Sequence, residues 1–532
     1  MKIDSVCVIW LLVSVCLDKG ENIMARRRRM RKRSLFSLSH YKLASLRMGE
    51  LVPISCMEVL PGDTFQHSVS AFLRVAPLVT PVMHPVHVRI WHFFVPNRLT
   101  WNEWEAFRTR GEDGTSVPEF PTITSPASTG WDIGSLADYL GIPTGIPDLE
   151  VSALPFRAYA LIYNEWFRNQ DTTDPYPISL DSGQDTTTNT ALFPSPWGKD
   201  YFTTASETPQ KGPEVTIPVT PGTGLVVPAS DNAQPTFAVR NGLGELAEVA
   251  LTGQGAGGSP GSYNARWNKS SAPAIEDDQP YYWQNPNLKV DNTGVSTINI
   301  SDWREAMALQ RFEEQRSLYG SRYTEFLKTL GIRASDARLQ RPEYLGGGRQ
   351  TIQFSEVLQT AEGTDPVGTL RGHGIGAMKT NRYRRFFEED GLVMSFVSVR
   401  PIGVYMQGLP RMWSRRSMED FWTPQFQHLS QQPVYTKELY AAVGDKEQIF
   451  GYQNIYDEYR SCPSSVSGEM RTILNSWHMA RDFSAAPVLN TDFITAPPTN
   501  RVFAAQENDT LYAMFYHTVR ARRLMARSGK PR

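Results

Sequence analysis

Residues 65–75 read FQHSVSAFLRV, and residues 84–95 read HPVHVRIWHFFV. In the first stretch Phe65, His67, Val69, Ala71, Leu73 and Val75 take alternate positions, with mostly polar or small residues between them. Successive strand side chains point to opposite faces, so a period of two predicts a strand with one buried side. In the second stretch Val86, Val88, Ile90 and Phe94 share a face in the same way. TIQFSEVL (351–358) reads as another strand. GLVMSFVSV (391–399) is apolar at both parities, as a central strand covered on both sides would be. Asp390-Gly391 before it supplies a hairpin-turn dipeptide.

Helical patterns interrupt these strands. Thr100 to Arg108 has Thr100 as an N-cap candidate and Trp101, Trp104 and Phe107 on one face. Pro155 to Asn169 starts with Pro in the first turn and carries Tyr159, Ile162, Tyr163 and Trp166 at helical spacing. Ser301 to Leu330 reads as one or two helices broken near Gly320, with Ser301 as a cap. These stripes are expected to pack a core rather than to hold a cofactor.

Residues 202–300 differ in kind: Thr, Pro, Gly, Ser and Asn dominate, as in GLGELAEVALTGQGAGGSPGSYN. That composition predicts a disordered segment or a loop-rich projection, with small hairpins at EVTIPVT and GLVVPA. Strands broken by long insertions, with neither regular βα alternation nor an internal repeat, predict a mainly β, antiparallel sandwich.

The 532 residues are 40% hydrophobic and 20% charged, which makes a globular chain, and its 37 Pro and 39 Gly argue against a helical bundle. No run approaches the ~20 apolar residues of a membrane-spanning helix. The formal net charge of −1 conceals a strong segregation. Met24 to Arg47 holds nine Lys or Arg and no acid, and Thr518 to Arg532 holds six and no acid. Apart from these segments and residues 1–23, the chain carries 37 basic and 52 acidic residues, a net of −15. An acidic body with two basic ends points to a polyanionic partner, because arginine stays charged and pairs with phosphate in a bidentate way, although a solubilising tail or a localisation signal would carry the same charge.

The apolar run SVCVIWLLVSVCL (5–17) has signal-peptide length, but Asp4 offsets Lys2 and no small-residue cleavage site follows. Lys19-Gly20-Glu21 can be encoded by a purine-rich ribosome-binding sequence just upstream of Met24. Residues 1–23 are therefore expected to be an upstream leader, with Met24 the true start. Cys56 and Cys462 lie far apart and fit no zinc or disulfide pattern, as do Cys7 and Cys16 in the leader.

Catalytic signatures are missing. GGSPG (257–261) fits the letters of a nucleophile elbow but lacks a flanking strand and helix. GHGIG (372–376) is not a dinucleotide fingerprint and reads as a flexible loop near a sheet. His87 points away from His84 and His92 on a strand, so the three do not converge on a metal. The acidic groups at 276–278 and 388–390 read as solvated turns. No catalytic residue, cofactor or metal site is expected. RYRRFF (382–387) and RMWSRR (411–416) pair arginine with rings, the combination that binds single-stranded nucleic acid, though strand-edge arginines beside core aromatics would look the same.

The segment from Leu43, LASLRMGELVPISCMEVLPGDTFQHSVSAFLRV, resembles the amino-terminal part of the major capsid proteins of the Microviridae, the small icosahedral single-stranded DNA phages. PFRAYALIYNEWFRNQ (155–170), RYTEFLKTLGIRASDARLQRPEYLGGGRQTIQFSEVLQT (322–360) and FGYQNIYDEYR (450–460) resemble further signatures of that family, in order along the chain. The resemblance implies an eight-stranded antiparallel jelly-roll with long helical and loop insertions, and a homo-oligomer of pentamers closing into a T=1 shell around circular single-stranded DNA. Beside the leader (1–23) and the basic tail (518–532) read from the residues, it implies a basic interior arm (24–60), two jelly-roll parts (61–201 and 301–517) and a surface insertion similar in position to the threefold protrusion of the gokushovirus-like branch (202–300). Other phage structural or scaffolding proteins and a host receptor are implied partners, without membrane insertion. DNA contact is expected from Arg26, Arg27, Arg28, Arg29, Arg31, Lys32, Arg33 and Lys42, then from Arg520, Arg522, Arg523, Arg527, Lys530 and Arg532. Two other readings are a secreted β-sandwich hydrolase with residues 1–23 as its signal, and a DNA-binding protein that does not assemble.

Overall fold

The computed structural model describes residues 33–216, 300–320, 322–358 and 370–527, together with five short strands between 225 and 291. The leader, Arg26 to Lys32, Lys530, Arg532, GGSPG and the acidic group at 276–278 lie outside the described residues.

Ten strands form the main sheet: β1 (Ser34–Ser37), β2 (His40–Leu46), β3 (Val52–Val59), β4 (Thr64–Val75), β5 (Val86–Pro96), β6 (Glu343–Leu358), β7 (Leu370–Lys379), β8 (Tyr383–Phe386), β9 (Gly391–Pro401) and β10 (Leu511–Arg523). The order is β1-β10-β4-β7-β6-β5-β9-β3; β2 also pairs β10, and β8 also pairs β4. Two of the eight lateral positions are thus split between consecutive strands. The protein is mainly β, with the curled antiparallel sheet of a jelly-roll sandwich. β6 makes the curl: its first part pairs β5 and its last part pairs β7. Val69 and Leu73 of β4 and Phe515 of β10 thereby share one core with Val88 and Ile90 of β5 and Val399 of β9.

Every residue of β9 is buried. One face meets that core, and the other is roofed by helix α2 (Leu154–Ile162) once α1 (Trp104–Thr109) has been passed along the chain. Met394 and Phe396 pack there with Phe156 and Tyr159, and the Tyr159 hydroxyl donates to Leu51 O at 2.9 Å. Arg157 on α2 meets Asp185 at 2.7 Å, with both side chains buried. Burial favours the protonated acid, but bonds from Thr188, Arg157 and Thr187 outweigh it and hold the Asp185 pKa below its ordinary value.

The inner positions also place histidines together. His67, His92 and His517 are fully buried, and Tyr383 lies beside them. His67 Nε2 is 3.1 Å from His517 Nδ1, and His67 Nδ1 is 3.1 Å from the Tyr383 hydroxyl. His92 Nδ1 is 2.8 Å from Ser395 Oγ. Burial pushes His67 down to about 2, and His92 and His517 down to about 3.

Several local expectations are corrected. Thr100 does not cap α1: its hydroxyl donates to Asn97 O and it closes a short 3-10 turn, while α1 starts after Glu103. Asp390-Gly391 makes no hairpin, because the preceding β8 pairs β4 instead of β9. GHGIG is no flexible loop but the middle of β7. A Cβ on Gly372 would lie 2.7 Å from Thr80 O, and one on Gly374 would lie 2.9 Å from the Phe354 ring. The helical region at 301–330 is α3 (Ile300–Tyr319) and α4 (Tyr323–Thr329), so Ser301 lies inside α3; the break at Gly320 is as expected, with φ +96°. The expected arm is paired strand from Ser34 onward, and the expected tail is strand through Arg523.

Gly212–Glu313 form a second compact unit. In it Leu225–Pro228 pairs Leu288–Asp291, and Thr236–Arg240 pairs both Leu246–Ala250 and Tyr281–Asn285. The first of these contains the apolar part of GLVVPA; EVTIPVT lies outside the described residues beyond Thr216.

Candidate nucleic-acid interface

α2 roofs the outer side of β5 and β9, but the outer side of β10 and β7 is largely exposed, and that of β4 is exposed at Arg74 and buried at Ser68 and Thr64. β10 and β4 pair from Leu511↔Val75 to Arg522↔Thr64, and directly opposed residues share a face. The inward set is Leu511, Ala513, Phe515, His517, Val519 and Ala521, all buried. The outward set of β10 is therefore Tyr512, Met514, Tyr516, Thr518, Arg520 and Arg522. Opposite them on β4 stand Arg74, Phe72, Ser70, Ser68, Gln66 and Thr64. β2 adds Tyr41 and Leu43, β7 adds Ile375 and Lys379, and β8 adds Arg384 and Phe386. No carboxylate occupies an outward position on these five strands.

Rings and cations are interleaved across this surface. Tyr41, 65% exposed, stacks on Tyr516 with centroids 4.5 Å apart. The Arg74 guanidinium lies 5.6 Å from the Phe72 ring. Arg33 sits 4.7 Å over the Phe386 ring and donates to Thr64 Oγ1 at 3.3 Å. The last cation of the amino-terminal run thus reaches the surface that displays Arg522 and Arg384. Open aromatic faces beside cations suit a flexible polyanion whose bases stack while its phosphates pair.

Arg33, Arg520 and Arg522 meet on this face, and Arg527 is exposed just beyond β10. Two expected contacts are turned elsewhere. Arg523 is ion-paired to the buried Asp63 at 3.1 Å, lies 5.6 Å over Phe65 and donates to Glu58 O. Lys42 projects to the inner side, where its ammonium donates to the carbonyls of Pro53 and Tyr139. Burial pushes the Lys42 pKa down to about 8. Both are structural cations in this fold.

The two mixed basic-aromatic motifs also divide. Within RYRRFF, Arg384 and Phe386 face outward, Tyr383 joins the buried histidines, and Arg385 pairs with Glu343 at 2.8 Å. Within RMWSRR, Arg411 and Arg415 are engaged by Glu438 and Glu458. Arg74, Lys379, Tyr41, Tyr516 and Phe72 were not expected from their local sequence. The available signal was the unused parity of each strand: residues opposite the buried set in FQHSVSAFLRV and LYAMFYHTVRARR lack acids.

Among the described residues no group of three His, Cys, Asp or Glu is placed to hold a metal. Glu389 is held by Arg98 at 2.7 Å and Asp390 by Arg108 at 3.0 Å. His84 bonds Ile402 O instead of turning toward His92. Burial pushes the Cys56 thiol up to about 12, so it stays protonated. No helix among the described residues is long and apolar enough to cross a membrane.

Residues 27–532 match the family model described as capsid protein (F protein). The chain is 35% identical over 478 residues to capsid protein VP1 of Bdellovibrio phage phiMH2K, covering 87% of each chain. It is 32% identical to capsid protein VP1 of Chlamydia phage 1, covering 93% of this chain and 94% of that one. Capsid protein VP1 of Spiroplasma virus 4 is 30% identical over 90% of each chain.

Proposed function

This chain belongs to the phage capsid protein (F protein) family of the Microviridae, a structural protein of the virion and not an enzyme; on that premise we propose that it forms a T=1 shell of pentamers and packages circular single-stranded DNA on the open face of its sandwich. The observation that carries the DNA reading is the outer face of β10, β4, β7 and β8, with Arg74, Lys379, Arg384, Arg520 and Arg522 among exposed rings and no outward carboxylate. Arg26 to Lys32 would extend the same cationic surface, since Arg33 leads from that run onto it. Binding would tolerate any base sequence, because phosphate contact and stacking read none. The 202–300 insertion would serve host attachment, and scaffolding or other phage structural proteins would contact the shell during assembly.

Salt dependence tests the DNA assignment. On single-stranded DNA, removing one cation that neutralises a phosphate reduces the slope of log K against log salt by about 0.7. The triple variant Arg74→Ala, Arg520→Ala, Arg522→Ala should reduce it by about 2, and deletion of Ala25 to Arg33 should weaken binding and packaging further. Unchanged slopes in both would refute the assignment.

A further inference from the structure

The segment 409–430 inverts the usual order of folding: its polar groups build the inside and its apolar groups face water. Arg411 donates to Pro433 O at 2.7 Å and reaches Glu438 at 3.3 Å. Arg415 reaches Glu458 at 3.3 Å and lies 4.2 Å over the Tyr459 ring. Asp420 accepts from the backbone N–H of Arg416 at 2.8 Å and of Ser417 at 2.9 Å. The Tyr456 hydroxyl donates to Glu419 O at 3.1 Å. This scaffold fixes a loop that has only two short 3-10 turns. From it project Met412, Trp413, Met418, Phe421, Trp422 and Leu429, each between 53% and 66% exposed.

Large side chains held out by a rigid polar frame incur little ordering cost when they dock. At the usual sizes of these side chains they leave roughly 700 Å² open, close to one partner's share of a standard protein interface. Tryptophans of this kind are the residues that dominate binding energy. Nucleic acid fits the loop poorly. Two of its three arginines are already paired with Glu438 and Glu458, and Glu419 and Asp420 add negative charge beside Arg416. The chain belongs to a family whose members assemble into a multimeric shell, so identical copies are the abundant apolar surface available. We propose that the 409–430 loop is an inter-subunit clasp, with Trp413 and Trp422 inserted against a second copy of this chain. The inference rests on capsid membership and is independent of the DNA-binding face.

Three measurements test it. Hydroxyl-radical oxidation of Trp413 and Trp422 should be strong in dissociated chain and suppressed in intact particles; equal oxidation in the two states overturns the clasp. Particles carrying p-benzoylphenylalanine at Trp422 should give, on irradiation, an adduct joined to a peptide of a second copy. Adducts to DNA, to a different structural protein or to none overturn it. The double variant Trp413→Ser, Trp422→Ser should stay folded by circular dichroism yet associate about a hundredfold more weakly in sedimentation. Association at the original strength would also refute the proposal.

Discussion

Acid should loosen this sandwich well before it titrates the carboxylates, because four histidines are buried in a form that cannot charge. His67, His92 and His517 are pushed down to about 2, 3 and 3, and His84, buried against Ile402 O, to about 4. In the unfolded chain each would take a proton near the ordinary 6.5. Between pH 6 and 5 the unfolded state therefore binds more protons than the native state, and stability falls as pH falls. Each histidine contributes about 1.4 kcal/mol per pH unit in that window. Glu50 acts the other way: burial pushes it up to about 7, so the native state holds a proton that the unfolded chain lacks down to about 4.5. It is partly exposed and offsets at most one histidine. Burial also raises Asp63, Glu343 and Glu438 above their ordinary values, in the same sense as Glu50; the four histidines therefore set an upper bound of about 5 kcal/mol lost per pH unit, a large part of the ~5–15 kcal/mol that stabilises a typical domain. The assay is urea unfolding of dissociated chain, followed by tryptophan fluorescence at half-unit steps from pH 7.5 to 5. His517→Gln keeps a polar side chain but cannot titrate, and should reduce the slope by about one proton, or ~1.4 kcal/mol per unit. A stability that is flat across this range, or equal slopes in the two proteins, would refute the reasoning.

Two further outcomes follow from single side chains. Arg157→Leu leaves Asp185 buried without its partner and should cost about 3–5 kcal/mol in chemical denaturation, since removing one member of a buried pair strands the other. Lys42→Met removes an inward ammonium and should leave single-stranded DNA affinity and its salt slope unchanged in filter binding, unlike substitution of Arg520 or Arg522.

The strands that make the sandwich were legible because burial on a sheet face is written at alternate positions. Phe65 to Val75 and Val86 to Ile90 are inward as their spacing predicts, and the doubly apolar 391–399 segment is buried throughout. The Gly320 break and the first-turn Pro155 are likewise local, since glycine takes positive φ and proline needs no amide partner there. Turn and cap assignments fared worse. Asp390-Gly391 carries a hairpin signal, but β8 found its partner in β4, more than 300 residues earlier. A dipeptide cannot specify which strand will lie beside it.

The amino-acid sequence alone determined the fold class, the segregation of charge and the family likeness, because each depends on residue type and near spacing. Tertiary structure alone decided which cations share a surface. Arg33, Arg384 and Arg522 come from three segments and meet at one end of β4, with Arg74 on the same face at its other end, because β1, β10, β4 and β8 are neighbours, whereas Lys42 and Arg523 leave that surface by strand parity and ion pairing. The histidine cluster has the same origin: His67, His92 and His517 are far apart along the chain, and only the curl of the sheet buries them together. Long-range pairing is set by the sum of many weak contacts across the whole sheet, so no single stretch of sequence contains it.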